Sequence, residues 1–270
     1  MTQLWHIILY QPLLNGLIFL YRLIGSLGLA IIVFTTFIRA ILIPLTVPSM
    51  KAAKKMQELA PELDKLKNRY KNDKQGLAKA QMELYKQHGA NPAAGCLPQI
   101  VQLLILIALY QAFRQVLMSN GPEVIQKINE VLYPSLQLSL ETKINLQFLY
   151  LDLAKPDVFQ LPVGGQNIPI PGLFLIAAAL TQFLSSKMMS PGARAAEKVA
   201  GKTEEKSDDL ATSMQSQMLY LFPLMTLLIG FTFPSGLILY WFIFSLFTMV
   251  QQYFVAGPGG LEIWLKKLRR

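Results

Sequence analysis

Apolar residues run almost without interruption through five stretches of this chain, and recur at helical intervals in two others. The first long run, 28–47, holds twenty residues. At about 1.5 Å per residue it spans roughly 30 Å, the thickness of a bilayer's hydrocarbon core. The pattern predicts a transmembrane helix with one charge in it, Arg39, a little past the centre. A central arginine costs on the order of 2.5–3.5 kcal/mol on insertion scales, so something must solvate or pair it. Thr35 and Thr36 stand four and three residues before it, on the helix face that Arg39 occupies. The alternative is an arginine that snorkels from a shifted span, with Pro44 marking the span's end.

The other long runs predict spans at about 95–117, 169–187, 214–232 and 234–255. Cys96, Gln99 and Gln102 follow one another at three-residue intervals near the start of the second span and give it a polar stripe. Gln182 and Ser186 lie one turn apart in the third. Only Phe233-Pro234-Ser235-Gly236 separates the fourth span from the fifth, a tight transmembrane hairpin. The expected fold is therefore an all-α integral membrane protein with five transmembrane helices.

Two segments carry the amphipathic pattern. In 1–26, Pro12 can open a helix, and Leu13, Leu14, Leu17, Ile18, Tyr21 and Ile24 share one face, interrupted by Asn15 and Arg22. This predicts an interfacial helix lying on the membrane; a sixth span is the alternative. A removed signal peptide is not expected, because a basic n-region and a small-x-small cleavage site are both missing. In 49–91, Met56, Leu59, Leu63, Leu66 and Tyr70 follow 3-4-3-4 spacing on an otherwise charged background. Residues 71–76 supply a turn, and Leu77, Ala80, Leu84 and Tyr85 form a second stripe that ends near Gly89 and Asn91-Pro92. Two short helices with matching stripes predict a hairpin outside the membrane. Its charge is either a solvated face or a docking surface. Segments 118–168 and 188–212 read as polar connections, and 256–270 as a basic tail.

Composition agrees with a membrane protein: the chain is 53% hydrophobic and 15% charged. All sixteen Asp and Glu residues lie outside the apolar segments. With no carboxylate in the spans, Arg39 is expected to face water or polar side chains in a cavity. The net charge of +9 comes from topology. The hairpin, residues 187–212 and the tail together hold nineteen Lys and Arg, against four (Arg22, Lys127, Lys143, Lys155) on the opposite side. The positive-inside rule then puts the N-terminus outside, and the hairpin and C-terminus in the cytoplasm. The hairpin's own net charge of +5 also suits acidic partners or lipid headgroups. One cysteine and two histidines leave no material for a disulfide or a cysteine-cluster metal site, and little for imidazole chemistry.

The motifs together resemble one family. Thr36-Phe37-Ile38-Arg39 through Ile43-Pro44-Leu45, Gln57-Glu58-Leu59-Ala60-Pro61-Glu62, Leu84-Tyr85-Lys86 and Asn91-Pro92-Ala93-Ala94-Gly95-Cys96-Leu97-Pro98 come in that order. Leu109-Tyr110, Leu151-Asp152-Leu153, Phe233-Pro234-Ser235-Gly236-Leu237-Ile238-Leu239-Tyr240-Trp241 and Gln251-Gln252 follow. Each is weak alone; their order and spacing are specific. The chain resembles the YidC-type membrane protein insertases, related to the mitochondrial Oxa and chloroplast Albino proteins, over nearly its whole length.

The resemblance implies a five-span core around a hydrophilic groove, open to cytoplasm and lipid and closed on the outside. Arg39 matches the groove arginine, Gln102, Gln182 and Trp241 match positions along the groove, and Tyr240 of the same motif joins them as a candidate. With Thr35, Thr36, Gln99 and Ser186 from the span patterns, they make the candidate site. The implied partners are nascent membrane proteins, with the ribosome, the signal recognition particle receptor and the Sec translocon nearby, in the bacterial plasma membrane. The resemblance implies no cofactor and no enzymatic step. The sequence departs from relatives that carry a large outer domain or a lipobox cysteine ahead of the core. Its tail is shorter than that of ribosome-binding relatives, and Asp157 follows Pro156 where relatives more often place Asp before Pro. The competing classes are a transporter or channel with an arginine anion site, and an intramembrane enzyme. The first lacks membrane acids for ion coupling and a visible inverted repeat. The second lacks HExxH, a membrane aspartate pair and a GxSG-type serine, and Ser235 beside Pro234 reads as turn chemistry.

Overall fold

A computed structural model describes residues 2–70, 73–90, 97–117, 121–189 and 209–262. Thr2–Trp5, a π-helical turn at His6–Tyr10 and Gln11–Ile24 run on as one helix, α1. Next come α2 (Leu27–Ile41), α3 (Ile43–Glu58), α4 (Ala60–Arg69), α5 (Lys74–Gln87), α6 (Leu97–Leu117) and α7 (Pro122–Asn129). Four short strands follow, β1 (Gln147–Phe148), β2 (Leu151–Asp152), β3 (Val158–Val163) and β4 (Gln166–Pro171). The chain closes with α8 (Leu173–Met189), α9 (Asp209–Gly230) and α10 (Ser235–Ala256).

Among the described residues, Gln3–Ile24, Ile100–Leu117 and Ser235–Ala256 are each long and apolar enough to cross a membrane, and the broken pair α2 and α3 passes jointly. Leu173–Met188 and Tyr220–Gly230 are shorter apolar helices. The exposed residues have the same character. Leu29, Val33, Phe37 and Ile41 form an exposed apolar stripe on α2, and Ile100, Leu103, Leu104 and Ile107 form one on α6. Stripes of this kind are stable against lipid and costly against water.

Several boundaries differ from the sequence expectations. The span expected over 28–47 is not one helix: it breaks at Leu42, two residues before Pro44. A proline cannot donate to the carbonyl four residues back and crowds it, so the ladder stops there. It restarts when Leu42 O accepts from Leu45 N and Thr46 N. The helix does not then stop at Pro48; α3 carries that proline inside and reaches Glu58. The stripe expected on one hairpin helix is therefore divided at Leu59, where Pro61 imposes the next break. In 1–26 the helix is present, but its length and composition also suit a span. The third span starts later than expected, because 166–171 belong to β4. The loop 188–212 lies mostly outside the described residues, and the tail beyond Glu262 wholly so.

The segment 118–168 is the largest departure, since the sequence suggested only a polar connection. Gly121-Pro122 opens α7, with the proline at a position that needs no N–H. β1 pairs with β2, and β3 with β4, all antiparallel. The β3–β4 turn is Gly164-Gly165, both with positive φ (60° and 81°), the geometry of a tight hairpin turn.

The chain divides into two compact units. The first comprises Met1–Ile41, Ile100–Leu180 and Leu224–Ser245. In it α1 packs on α2, with Leu14, Leu17, Ile18, Leu27, Ala30 and Ile31 buried. Gly16 permits the approach, because a Cβ there would meet the Phe34 ring at 2.7 Å. The other side of α1 is held by polar bonds: Gln11 and Asn15 donate to Val131 O, Asn15 Oδ1 accepts from Tyr133 N, and Arg22 donates to Ser135 O. Leu175, Ala178 and Ile238 form a buried cluster with Phe174, Leu227, Phe233 and Phe242 packed around it. The turn between α9 and α10 is pinned to the β2 end. Ser235 N donates to Lys155 O, Gly236 N to Leu153 O, and Ser235 Oγ to Asp152 O. Ser235 thus serves the turn, as its proline neighbour foretold.

The second unit comprises Leu42–Gln99, Thr181–Pro223 and Leu246–Arg270. In it α4 packs against α5, with Leu59, Leu77 and Leu84 buried. Asp73 caps α5 by accepting from Gly76 N at 2.8 Å. Gln57 donates to Met188 O, and Gln251 donates to Thr46 Oγ1 at 2.8 Å, both at helix ends.

Candidate functional site

Arg39 sits three residues before the break at Leu42, on the face of α2 that also carries Leu27, Gly28, Ile31 and Thr35, all buried. Helical spacing puts positions 27, 28, 31, 35 and 39 on one stripe, so an arginine at 39 is turned inward by the pattern that makes this helix pack. Its side chain is 5% exposed. The guanidinium carbon lies 4.4 Å from the centroid of the Phe244 ring. A desolvated cation over an aromatic face gains about 2 kcal/mol, comparable with the insertion cost of the arginine. The ring holds the guanidinium without neutralising its charge.

Phe244 stands one turn after Tyr240 on α10, with the two ring centroids 6.1 Å apart. Tyr240 is buried and accepts a 2.7 Å hydrogen bond from Gln102 Nε2 on α6. Phe113, also on α6, lies 6.5 Å from Tyr240, centroid to centroid. Three helices of the first unit therefore meet around a linked set, Gln102–Tyr240–Phe244–Arg39.

The threonines part company. Thr35 is buried on the Arg39 face, but its hydroxyl donates to Ile31 O at 2.6 Å. Thr36 is exposed, and its hydroxyl donates to Ile32 O at 2.8 Å. One residue's rotation moves Thr36 off the buried stripe toward the exposed one. Both hydroxyls satisfy their own helix, as threonines in membrane helices do when no stronger acceptor is near. Trp241 is half-buried, about 100° round α10 from Tyr240. The side chain of Gln99 lies outside the described residues. Gln182 and Ser186 belong to the second unit; both are half-buried, and Ser185 beside them is buried.

Phe244 is the residue the sequence reading missed. A phenylalanine among the many of an apolar span carries no signal by itself. The available clue was spacing: 240 and 244 share a face, so a groove tyrosine at 240 has the side chain at 244 as its neighbour. Gln251 and Gln252, the last of the sequence motifs, are buried in the second unit.

The family model of the 60Kd inner membrane protein matches residues 19–258. Membrane protein insertase YidC of Fusobacterium nucleatum is 34% identical over 239 residues, which cover 88% of this chain and 90% of that relative. YidC 2 of Bacillus anthracis is 32% identical over 262 residues, covering 95% of this chain and 83% of the relative. YidC of Pelobacter propionicus is 32% identical over 255 residues; the match covers 93% of this chain but 39% of that longer protein.

Proposed function

This chain belongs to the 60Kd inner membrane protein family, and from that premise we propose that it inserts nascent membrane proteins into the bilayer and helps them fold. The observation that carries the reading is Arg39, a guanidinium 5% exposed in a helix with an apolar outer stripe, set against a ring face. A polar groove reaching partway across the bilayer shortens the apolar path that a hydrophilic tail must cross. A fixed positive charge in low dielectric draws acidic residues of that tail inward. The substrate's apolar segment then partitions sideways into lipid, and that transfer drives the step without nucleotide hydrolysis.

The proposed groove residues are Arg39, Thr35, Gln99, Gln102, Gln182, Ser186, Tyr240 and Trp241. The proposed arrangement has five spans, with the α4–α5 hairpin and the C-terminus in the cytoplasm, as nineteen basic residues against four support. In it α1 lies at the outer surface rather than crossing; its bonds from Gln11, Asn15 and Arg22 to 131–135 run along a polar segment on that side. The basic hairpin is the proposed receiving surface for substrate, near the ribosome, the signal recognition particle receptor or the Sec translocon.

Purified protein in liposomes, supplied with a small single-span substrate, tests this. Protease protection of the translocated tail, dependent on the protein, is expected. Anion flux through the liposomes with no insertion would replace the proposal with an anion transporter.

A further inference from the structure

The β3–β4 ladder pairs Phe159 with Ile170 and Leu161 with Ile168. Paired residues of an antiparallel ladder share a face, and neighbours along a strand alternate. One face therefore holds Phe159, Leu161, Val163, Ile168 and Ile170, each more than a third exposed, with Gln166 at its turn end. The other holds Val158, Gln160, Pro162, Asn167, Pro169 and Pro171. A lone two-stranded hairpin is marginal in water, and one with an uncovered apolar face needs a cover.

Three observations identify that cover. The first is chain continuity: β4 ends at Pro171, and the apolar helix α8 begins at Leu173. The ladder thus stands one residue from the start of a membrane-embedded helix. The second is charge. No Asp, Glu, Lys or Arg occurs between Asp157 and Lys187, so ladder and helix share one charge-free stretch. A β-hairpin built to stand in water would carry charges on its edges. The third is an aromatic bridge. Tyr150 stacks on Phe159 of the ladder (5.6 Å) and on Phe174 of α8 (5.9 Å). Phe174 in turn meets Phe242 of α10 edge-on at 5.8 Å. The rings Phe159, Tyr150, Phe174 and Phe242 thus run in series from the ladder into the helices, and aromatic rings gather in this way at a membrane–water boundary.

We propose that the apolar face of the β3–β4 ladder is a lipid-contact surface, seated in the headgroup–acyl boundary of the leaflet at the Leu173 end of α8. The ladder then fixes the depth of that helix end, much as an interfacial helix would. The ligand is bulk bilayer lipid, since the face offers no group for a particular headgroup.

Single cysteines at Leu161, Ile168, Gln160 and Asn167, in the Cys96→Ser chain, would each carry an environment-sensitive fluorophore in nanodiscs with or without lipid spin-labelled near the headgroup. Labels at 161 and 168 should be quenched about twofold or more beyond those at 160 and 167, as expected for an apolar face buried several ångströms into the boundary. Equal quenching on both faces overturns the proposal. So does an apolar emission at 161 and 168 that spin-labelled lipid fails to quench, the signature of a protein cover. Oxygen against nickel accessibility of a small spin label at the same four positions repeats the comparison without the bulky fluorophore.

Discussion

Gln102 Nε2 donates a 2.7 Å hydrogen bond to the Tyr240 hydroxyl, joining α6 to α10 beside the ring that faces Arg39. Interhelical bonds of this kind average about 0.6 kcal/mol in membrane proteins, so the pair is a modest tie. A double-mutant cycle with Gln102→Ala and Tyr240→Phe should give a coupling of about that size in detergent unfolding. Tyr240→Phe should slow insertion by more than its stability loss explains, because it also strips a hydroxyl from the proposed groove. Insertion that simply tracks folded protein would reduce the pair to structural glue.

Asp157 supports the start of α8. It is buried, its Oδ2 accepts from Leu175 N at 2.8 Å, and its Oδ1 accepts from the Tyr150 hydroxyl at 3.0 Å. Burial pushes the Tyr150 phenol above its ordinary value; the hydrogen bond it accepts from the Phe174 N–H works against the rise and Asp157 adds to it. Asp157→Ala should destabilise by about 1–2 kcal/mol, the usual loss for a helix cap. Asp157→Asn should keep part of that, since an amide oxygen still accepts. Thermal unfolding of the three proteins in one detergent separates them; equal midpoints would show that the cap contributes nothing.

The legible parts of this fold were those in which one local rule acts alone. The stripe Met56, Leu59, Leu63, Leu66 and Tyr70 was readable because each residue is sheltered while Glu58, Glu62, Lys65 and Arg69 between them are exposed. Arg39 stood out as a charge in an apolar run. The break at Leu42 was half-visible in Pro44, but composition alone cannot tell that Pro44 ends a helix while Pro48 rides inside one. The β3–β4 ladder was missed, although Phe159, Leu161 and Val163 alternate ahead of Gly164-Gly165. Three prolines and a following apolar helix blurred the period of two. Phe244 was half-legible: its spacing from Tyr240 gives the shared face, but its contact with Arg39 comes from a helix far away in sequence.

The α4–α5 pair follows α3 at the break marked by Leu59, so its removal should spare the rest. Deleting residues 60–88 leaves α3 whole, and the protein should reach the membrane with its thermal midpoint within a few degrees of the parent, as the loss of a peripheral unit allows. Insertion should fall severely. Full activity in the deletion would take the hairpin out of the mechanism.

Topology is open to direct labelling. In the Cys96→Ser chain, a cysteine at Leu140 or Lys65, both exposed, should react with an impermeant maleimide from opposite sides of intact cells. Position 140 should label at once and position 65 only after permeabilisation. Equal labelling of both from outside would break the five-span arrangement, and the opposite pattern would reverse it.

The sharpest test falls on Arg39. If its charge draws acidic tails into the groove, Arg39→Ala should slow insertion of acidic-tailed substrates by roughly tenfold per 1.4 kcal/mol of lost attraction. Neutral-tailed substrates should suffer less, because the shortened apolar path survives. Arg39→Lys keeps the charge but loses the planar group that lies over Phe244, so it should retain part of the activity. Phe244→Leu should do the converse, keeping the guanidinium while removing its ring face, and its cost should show first in stability. An arginine that merely snorkels predicts another pattern: alanine would lift an insertion penalty and leave activity intact. Insertion rates for one substrate with zero, one or two tail acids, measured with all four proteins at equal density in liposomes, distinguish these cases. A loss that grows with tail charge in Arg39→Ala but not in Phe244→Leu assigns the attraction to the guanidinium; a uniform loss assigns it to damaged packing.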